Sequence, residues 1–171
     1  MTDGKLIFEE LVTENHDEFI AEVKAIAGRL KFNPNVLMAT MWKESRINHR
    51  AVNRNGGATG LIQFMPSTAI GLGTTTAKLR AMSNVQQLRY VEKYFKPYTG
   101  RLNSYFDLYL VVFFPVALSK PDNWQFHTSD LSAEEIGRAN EGINGGRPIT
   151  KISFRNYLLR GIDAKYHGYL S

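Results

Sequence analysis

Between Ala39 and Ala69 the chain reads ATMWKESRINHRAVNRNGGATGLIQFMPSTA, and Glu44 is the only acid in it. One carboxyl can do chemistry as a general acid when its proton affinity lies near the working pH. Met41 and Trp42 precede Glu44. Burial beside such groups favours the protonated form, because desolvation penalises the charge. The neighbouring cations pull the other way. Residues 23–91 hold ten Lys and Arg against this one acid, a formal +9. Taken alone, a Glu near a helix end is most often a solvated surface residue, so its surroundings must carry any functional reading.

Downstream, Asn55-Gly56-Gly57-Ala58-Thr59-Gly60 forms a glycine-rich turn. Paired glycines supply positive φ and let backbone or ligand approach closely. The segment is not a phosphate-binding loop, since no Gly-Lys-Ser/Thr follows. Together with Glu44 and Ser45, "GATGLIQFMPSTA" resembles the signature of the soluble lytic transglycosylases, lysozyme-like enzymes that cut peptidoglycan. The matching positions are Glu44, Ser45, Gly57, Ala58, Gly60, Leu61, Gln63, Met65, Pro66, Thr68 and Ala69, with Ile62 in place of the family's usual Met. The likeness is strongest over 34–70 and fades towards 118.

The resemblance implies that Glu44 is the catalytic acid and base, that Gln63 and Met65 line the sugar cleft, and that Ser45 braces the carboxylate or the substrate. Plainer readings stand beside these: an exposed helix residue for Gln63, a core filler for Met65 and a helix-terminal residue for Ser45. The family chemistry needs one carboxyl. It protonates the oxygen between MurNAc and GlcNAc, then accepts a proton from the C6 hydroxyl as that oxygen closes on C1 to leave a 1,6-anhydro end. Most glycosidases use two carboxylates, yet Ser45 to Val91 contains none, which independently supports the one-carboxyl scheme. Glu92 reads as solvated, Asp107 as a helix-start residue, and Asp122 and Asp130 as loop acids. A lysozyme-type hydrolysis by water is the alternative outcome.

One departure concerns a Tyr that the family carries on a later helix, its hydroxyl reaching the catalytic Glu. The corresponding stretch here is LYLVVFFPVAL, which offers Phe113 or Phe114. Tyr109, one turn earlier, is the candidate substitute. This variant resembles phage-associated members and suggests a viral source. ANEGINGGRPIT superficially looks like a calcium loop, but Asn140, Gly142 and Asn144 give no carboxylate and Lys151 stands where a bidentate Glu is needed. The four His, at 16, 49, 127 and 167, show no ligand spacing. No metal and no cofactor are expected.

The elements that must position these residues are mainly helical. Phe19, Ile20, Val23, Ile26, Ala27 and Leu30 repeat at three and four. Asn33-Pro34 reads as an N-cap with Pro in the first turn, opening a helix that ends near Glu44. Ser83 with Gln86 and Ser132 with Glu135 are capping boxes. Leu88, Val91, Phe95 and Tyr98 predict one helical face, and Phe154, Leu158, Ile162 and Tyr166 another. A core helix starts near Ser104 and Asp107, and Pro115 ends or kinks it. Residues 45–58 and 119–131 read as loops. The expectation is a mostly α chain forming a single compact lysozyme-like domain over 1–171, with a motif core at 34–118 and a C-terminal helical extension at 119–171.

Composition bounds the rest. Net charge is +5, with seven of sixteen acids in residues 1–22, so anionic partners are favoured. The chain has no cysteine, which excludes a disulfide scaffold and a cysteine-ligated zinc. Its most apolar stretch, Tyr105 to Leu118, is too short to span a bilayer and is broken by Asp107 and Pro115. The N-terminus lacks an apolar core and reads as no signal peptide. The expected partner is the peptidoglycan glycan strand, met by a monomer delivered from host cytoplasm or virion to the cell wall. No nucleic acid is expected, because Lys and Arg line no single helix face. A basic helical module that binds nucleic acid or wall without cutting it is the contrasting reading.

Overall fold

Six apolar side chains at helical spacing fold His16–Leu30 into α1, and all six, Phe19 through Leu30, are buried. The computed structural model describes residues 4–171; Met1 to Asp3, where the N-terminal segment begins, lie outside the described residues. Helix α2 spans Pro34–Ser45. The Asn33 side chain accepts from the Asn35 N–H at 3.0 Å and Pro34 occupies the first turn, as expected. Two short helices follow, α3 (Pro66–Gly71) and α4 (Thr76–Ala81), and then α5 (Asn84–Phe95) behind a complete Ser83–Gln86 capping box. Helix α1 packs on both α2 and α5. Arg29 on α1 reaches Glu92 on α5 at 2.7 Å and also Glu22 at 2.7 Å. Glu92, read from sequence as solvated, is therefore paired, and the guanidinium holds its carboxyl below the usual carboxylate range.

Two periodic faces were longer in sequence than in space. Helix α5 stops at Phe95, and a 3-10 turn over Lys96–Tyr98 carries Pro97, whose ring and missing N–H prevent continuation. Helix α6 (Tyr105–Phe113) ends ahead of Phe114, which is driven out of helical geometry to φ −151° by Pro115. Helices α7 (Ala133–Ala139), α8 (Glu141–Asn144) and α9 (Lys151–Arg160) complete the chain, α7 and α9 each opening with a full capping box. The predicted C-terminal helix is cut at Gly161. Ile162 is still buried, but Tyr166 lies in a 3-10 turn over Ala164–Tyr169.

The contacts cluster into two compact units: the chain up to Tyr105 together with Tyr169–Ser171, and Phe106–Gly168. In the first, the core comes from α1, α2 and α5, and the C-terminus is held by Asn33, whose Nδ2 donates to Ser171 O at 2.8 Å. In the second, rings dominate. Phe113 stacks on Phe154 and Phe114 on Phe126, each pair at 4.9 Å between centroids. Phe126 also donates its N–H to Ile149 O at 2.8 Å, beside an isolated bridge between Gln125 and Thr150. No strand forms among the described residues; helix is the dominant element, at 58%.

Candidate active site

Glu44 stands one residue before the end of α2 and is half-buried. The helix cannot run on past it, because Arg46 and Ile47 both adopt left-handed φ, 55° and 60°. Two consecutive non-glycine residues in that region are uncommon and turn the chain sharply behind the carboxylate. Ser45 is 9% exposed, and its Oγ donates to Leu61 O at 2.9 Å with Met41 O at 3.1 Å. The hydroxyl thus ties the end of α2 to the glycine-rich loop. Trp42 stacks on Phe8 at 4.7 Å, and the Arg46 guanidinium covers the Trp42 ring at 4.0 Å. Met41 is fully buried.

The loop itself is more ordered than its composition suggests. Thr59 and Phe64 exchange backbone hydrogen bonds at 3.0 and 2.9 Å, and Val52 bridges Thr59 on its other side. Of the glycine pair, only Gly57 takes positive φ. Gly60 has φ 88°, and a Cβ there would meet the Gln87 amide, with Cδ only 2.8 Å away. Only glycine meets both conditions.

Gln87 is the residue that sequence reasoning missed. It is fully buried on α5. Its Oε1 accepts from Leu61 N–H at 2.6 Å, and its Nε2 donates to His49 O and Leu79 O, both at 2.9 Å. One amide thereby connects the segment after Glu44, the glycine-rich loop and α4. The usable signal was a glutamine seven residues ahead of Tyr94 on a capped helix, but nothing in its type separates it from a solvated one.

Gln63, at φ 53°, is half-buried and donates its Nε2 to Gly60 O at 3.0 Å and Ala51 O at 3.3 Å. Met65 is 49% exposed. Phe64 between them is buried and meets the Tyr94 ring edge-on at 6.2 Å. Tyr94 is half-buried, its hydroxyl pushed up to about 12 by burial and by the charges of Tyr98 and Glu44. Glu44, Ser45, Gln63 and Met65 therefore belong to one unit. Tyr109 belongs to the other, where it is 9% exposed and packs 6.0 Å from Phe154. There it lines a recess of about 320 Å³ with Phe113 and Tyr157. Phe113 and Phe114 sit in the same unit's aromatic cluster.

The basic loop is partly neutralised. Arg50 pairs with Glu14 at 2.7 Å, whereas Arg54 is exposed and has no acidic partner among the described residues. His49 is 6% exposed, and its Nε2 has no partner among the described residues. Burial, then Arg50, hold its imidazole towards the neutral form. Asn140 and Asn144 donate to the Ile136 and Pro148 carbonyls, so backbone accounts for both amides of the ANEGIN stretch.

The family model described as Transglycosylase SLT domain matches residues 22–111, just over half the chain, and includes the whole block from Glu44 to Ala69. No curated protein and no solved structure gave a match. The matched segment takes in α2, the glycine-rich loop and α5, the three parts that Ser45 and Gln87 bind together. On this agreement of motif, matched span and helical architecture, the chain belongs to the transglycosylase SLT domain family, the lysozyme-like lytic transglycosylases that act on peptidoglycan.

Proposed function

We propose that Glu44 is the sole acid and base of a reaction that cleaves the MurNAc-GlcNAc β-1,4 bond and leaves a 1,6-anhydro end. The observation that carries this reading is a single half-buried carboxylate at the end of α2, followed by no other acid until Glu92, which is already paired with Arg29. Protonated Glu44 gives its proton to the glycosidic oxygen as the C1–O bond breaks. The C6 hydroxyl oxygen of the same MurNAc bonds to C1, and its proton passes to the Glu44 carboxylate. The acid is regenerated and no water is consumed.

In this reading Ser45 acts indirectly, by fixing the end of α2 to Leu61. Gln63 and the exposed Met65 present the loop to the glycan. Tyr109 is a substrate contact in the same scheme. The enzyme works as a monomer on glycan strands and belongs to a phage, a source suggested by the resemblance of its variant stretch, with Phe113 or Phe114 at the family's Tyr position, to phage-associated members.

Glu44→Gln tests the assignment. Turbidity loss of purified cell walls is expected to fall by at least about a thousandfold, as for removal of a residue that transfers the proton in both steps, with unchanged circular dichroism. Mass spectrometry of wild-type digests is expected to show anhydromuropeptides. Reducing-end products alone would replace the internal nucleophile with water.

A further inference from the structure

Two short stretches, Thr13-Glu14 and Arg46 to Arg50, bring an acid, two arginines and a histidine together within the unit that carries Glu44. With Asn84, at the start of α5, they line a recess of about 280 Å³. Hydrogen bonds fix its walls. Asn84 is 4% exposed; its Nδ2 donates to Glu14 O at 2.6 Å, and its Oδ1 accepts from Asn15 Nδ2 at 3.0 Å. Asn48 Oδ1 accepts from the Arg50 N–H at 2.9 Å, and Gln87 holds the His49 carbonyl. Neither Glu44 nor Ser45, Gln63 or Met65 lines this recess.

Two features call for an occupant. His49 lines the recess with its Nε2 buried and unpartnered among the described residues. Such an atom is costly and rare in a folded protein. Charges of both signs also meet here. Arg50 gives one N–H to Glu14 Oε1 at 2.7 Å, which leaves a ligand the other carboxylate oxygen and the other guanidinium donors. An anion alone would face Glu14, and a cation alone would face Arg46 and Arg50. A group with ammonium and carboxylate on one carbon answers both. It also answers His49 in either tautomer: an Nε2–H donates to the carboxylate, and a bare Nε2 accepts from the ammonium.

We infer that this recess is a second substrate-binding site, for the zwitterionic end of a diamino acid in the stem peptide of peptidoglycan. Glu14 takes the ammonium, Arg50 the carboxylate, and His49 Nε2 supplies the third contact. The inference rests on the chain acting on peptidoglycan through Glu44. Arg46, two residues after Glu44, lines the recess. The third residue of a stem peptide lies roughly 10 Å along the chain from its sugar, farther than the backbone between Glu44 and Arg46 can span. A glycan held at Glu44 therefore carries peptide long enough to reach.

The probes are the soluble tripeptide L-alanyl-γ-D-glutamyl-meso-diaminopimelate and its L-lysine counterpart, which lacks only the far carboxylate. Each is titrated into the full chain while NMR follows the His49 ring signal, assigned by replacing the exposed His16, His127 and His167 with Gln. The diaminopimelate peptide is expected to move that signal saturably. The lysine peptide should bind at least about tenfold more weakly, the loss of one charge-assisted contact. Glu14→Gln and Arg50→Gln, both at exposed positions, should each weaken the diaminopimelate peptide by a similar factor. A His49 signal unmoved by millimolar peptide, equal binding of the two peptides, or full binding by both variants overturns the inference. Binding needs no turnover. Wild type that binds the peptide yet leaves walls intact refutes the proposed function and keeps this site, whereas wall lysis without peptide binding refutes the site alone.

Discussion

Both units have apolar cores, but the contacts nearest Glu44 and those around Tyr109 differ in kind. Beside Glu44, directional bonds set the geometry: Ser45 to Leu61, and Gln87 to three backbone groups. In Phe106–Gly168, rings set it. Phe154 alone has Phe106, Tyr109, Phe113, Phe126 and Tyr157 within 6.3 Å between centroids. Ring burial is strong and tolerant of small shifts, because dispersion and the hydrophobic effect have little directionality. A buried amide with three partners is costly to leave unmatched and admits one arrangement. The difference teaches that the carboxylate sits beside a loop whose backbone is held by matched donors and acceptors.

The sharpest way to break that contrast is Phe154→Ala. Truncating a fully buried ring at the centre of the cluster should cost about 3–5 kcal/mol, read as a lower urea midpoint. A cost below about 1 kcal/mol would mean that the rings share no common core. Next in size is Gln87→Leu. It fills the space but strands the Leu61 N–H and two carbonyls, at a cost of about 3 kcal/mol. Wall lysis should fall more than stability alone accounts for, since the loop loses its register. Gln87→Glu keeps the acceptor for Leu61 and should recover part of the loss; equal loss in both variants would deny the amide its specific role.

The smallest effect is on pH dependence. His49 is buried and held towards the neutral form, with Arg50 disfavouring its charge and Glu14 opposing that influence. The unfolded chain binds a proton near the ordinary imidazole value of about 6.5, before the folded one does. Stability is therefore complete above that pH and declines as pH falls through the lower folded value. Glu14, lowered by Arg50, adds a separate loss below the ordinary carboxylate range. Acid unfolding of His49→Gln should lack the first decline and keep the second; an unchanged profile would show that imidazole has no part in it.

Much of the scaffold was legible from sequence because it obeys local rules. The α1 stripe, the Asn33-Pro34 start and two of the capping boxes are patterns within one or two turns. The failures have physical causes. Helices α3, α4 and α8 are too short to show a period. Ile162 and Tyr166 continue a helical spacing that the backbone abandons at Gly161. Glu44 and its loop were visible because their residue types and spacing form a motif. Gln87 was not, since a glutamine's partners are set by tertiary placement. Tyr94 was passed over because the apolar period went through Phe95 instead. Only the structure brings it beside Phe64.

The close approach of Gly60 to Gln87 has a consequence for how such a chain can change. Neither position can drift alone: a larger residue at 60 collides with the amide, and a shorter one at 87 leaves a void and three unanswered backbone groups. Because the φ of 88° at Gly60 holds that position to glycine whatever stands at 87, descendants of this sequence should keep the glycine and confine change at 87 to side chains that still answer the same three backbone groups.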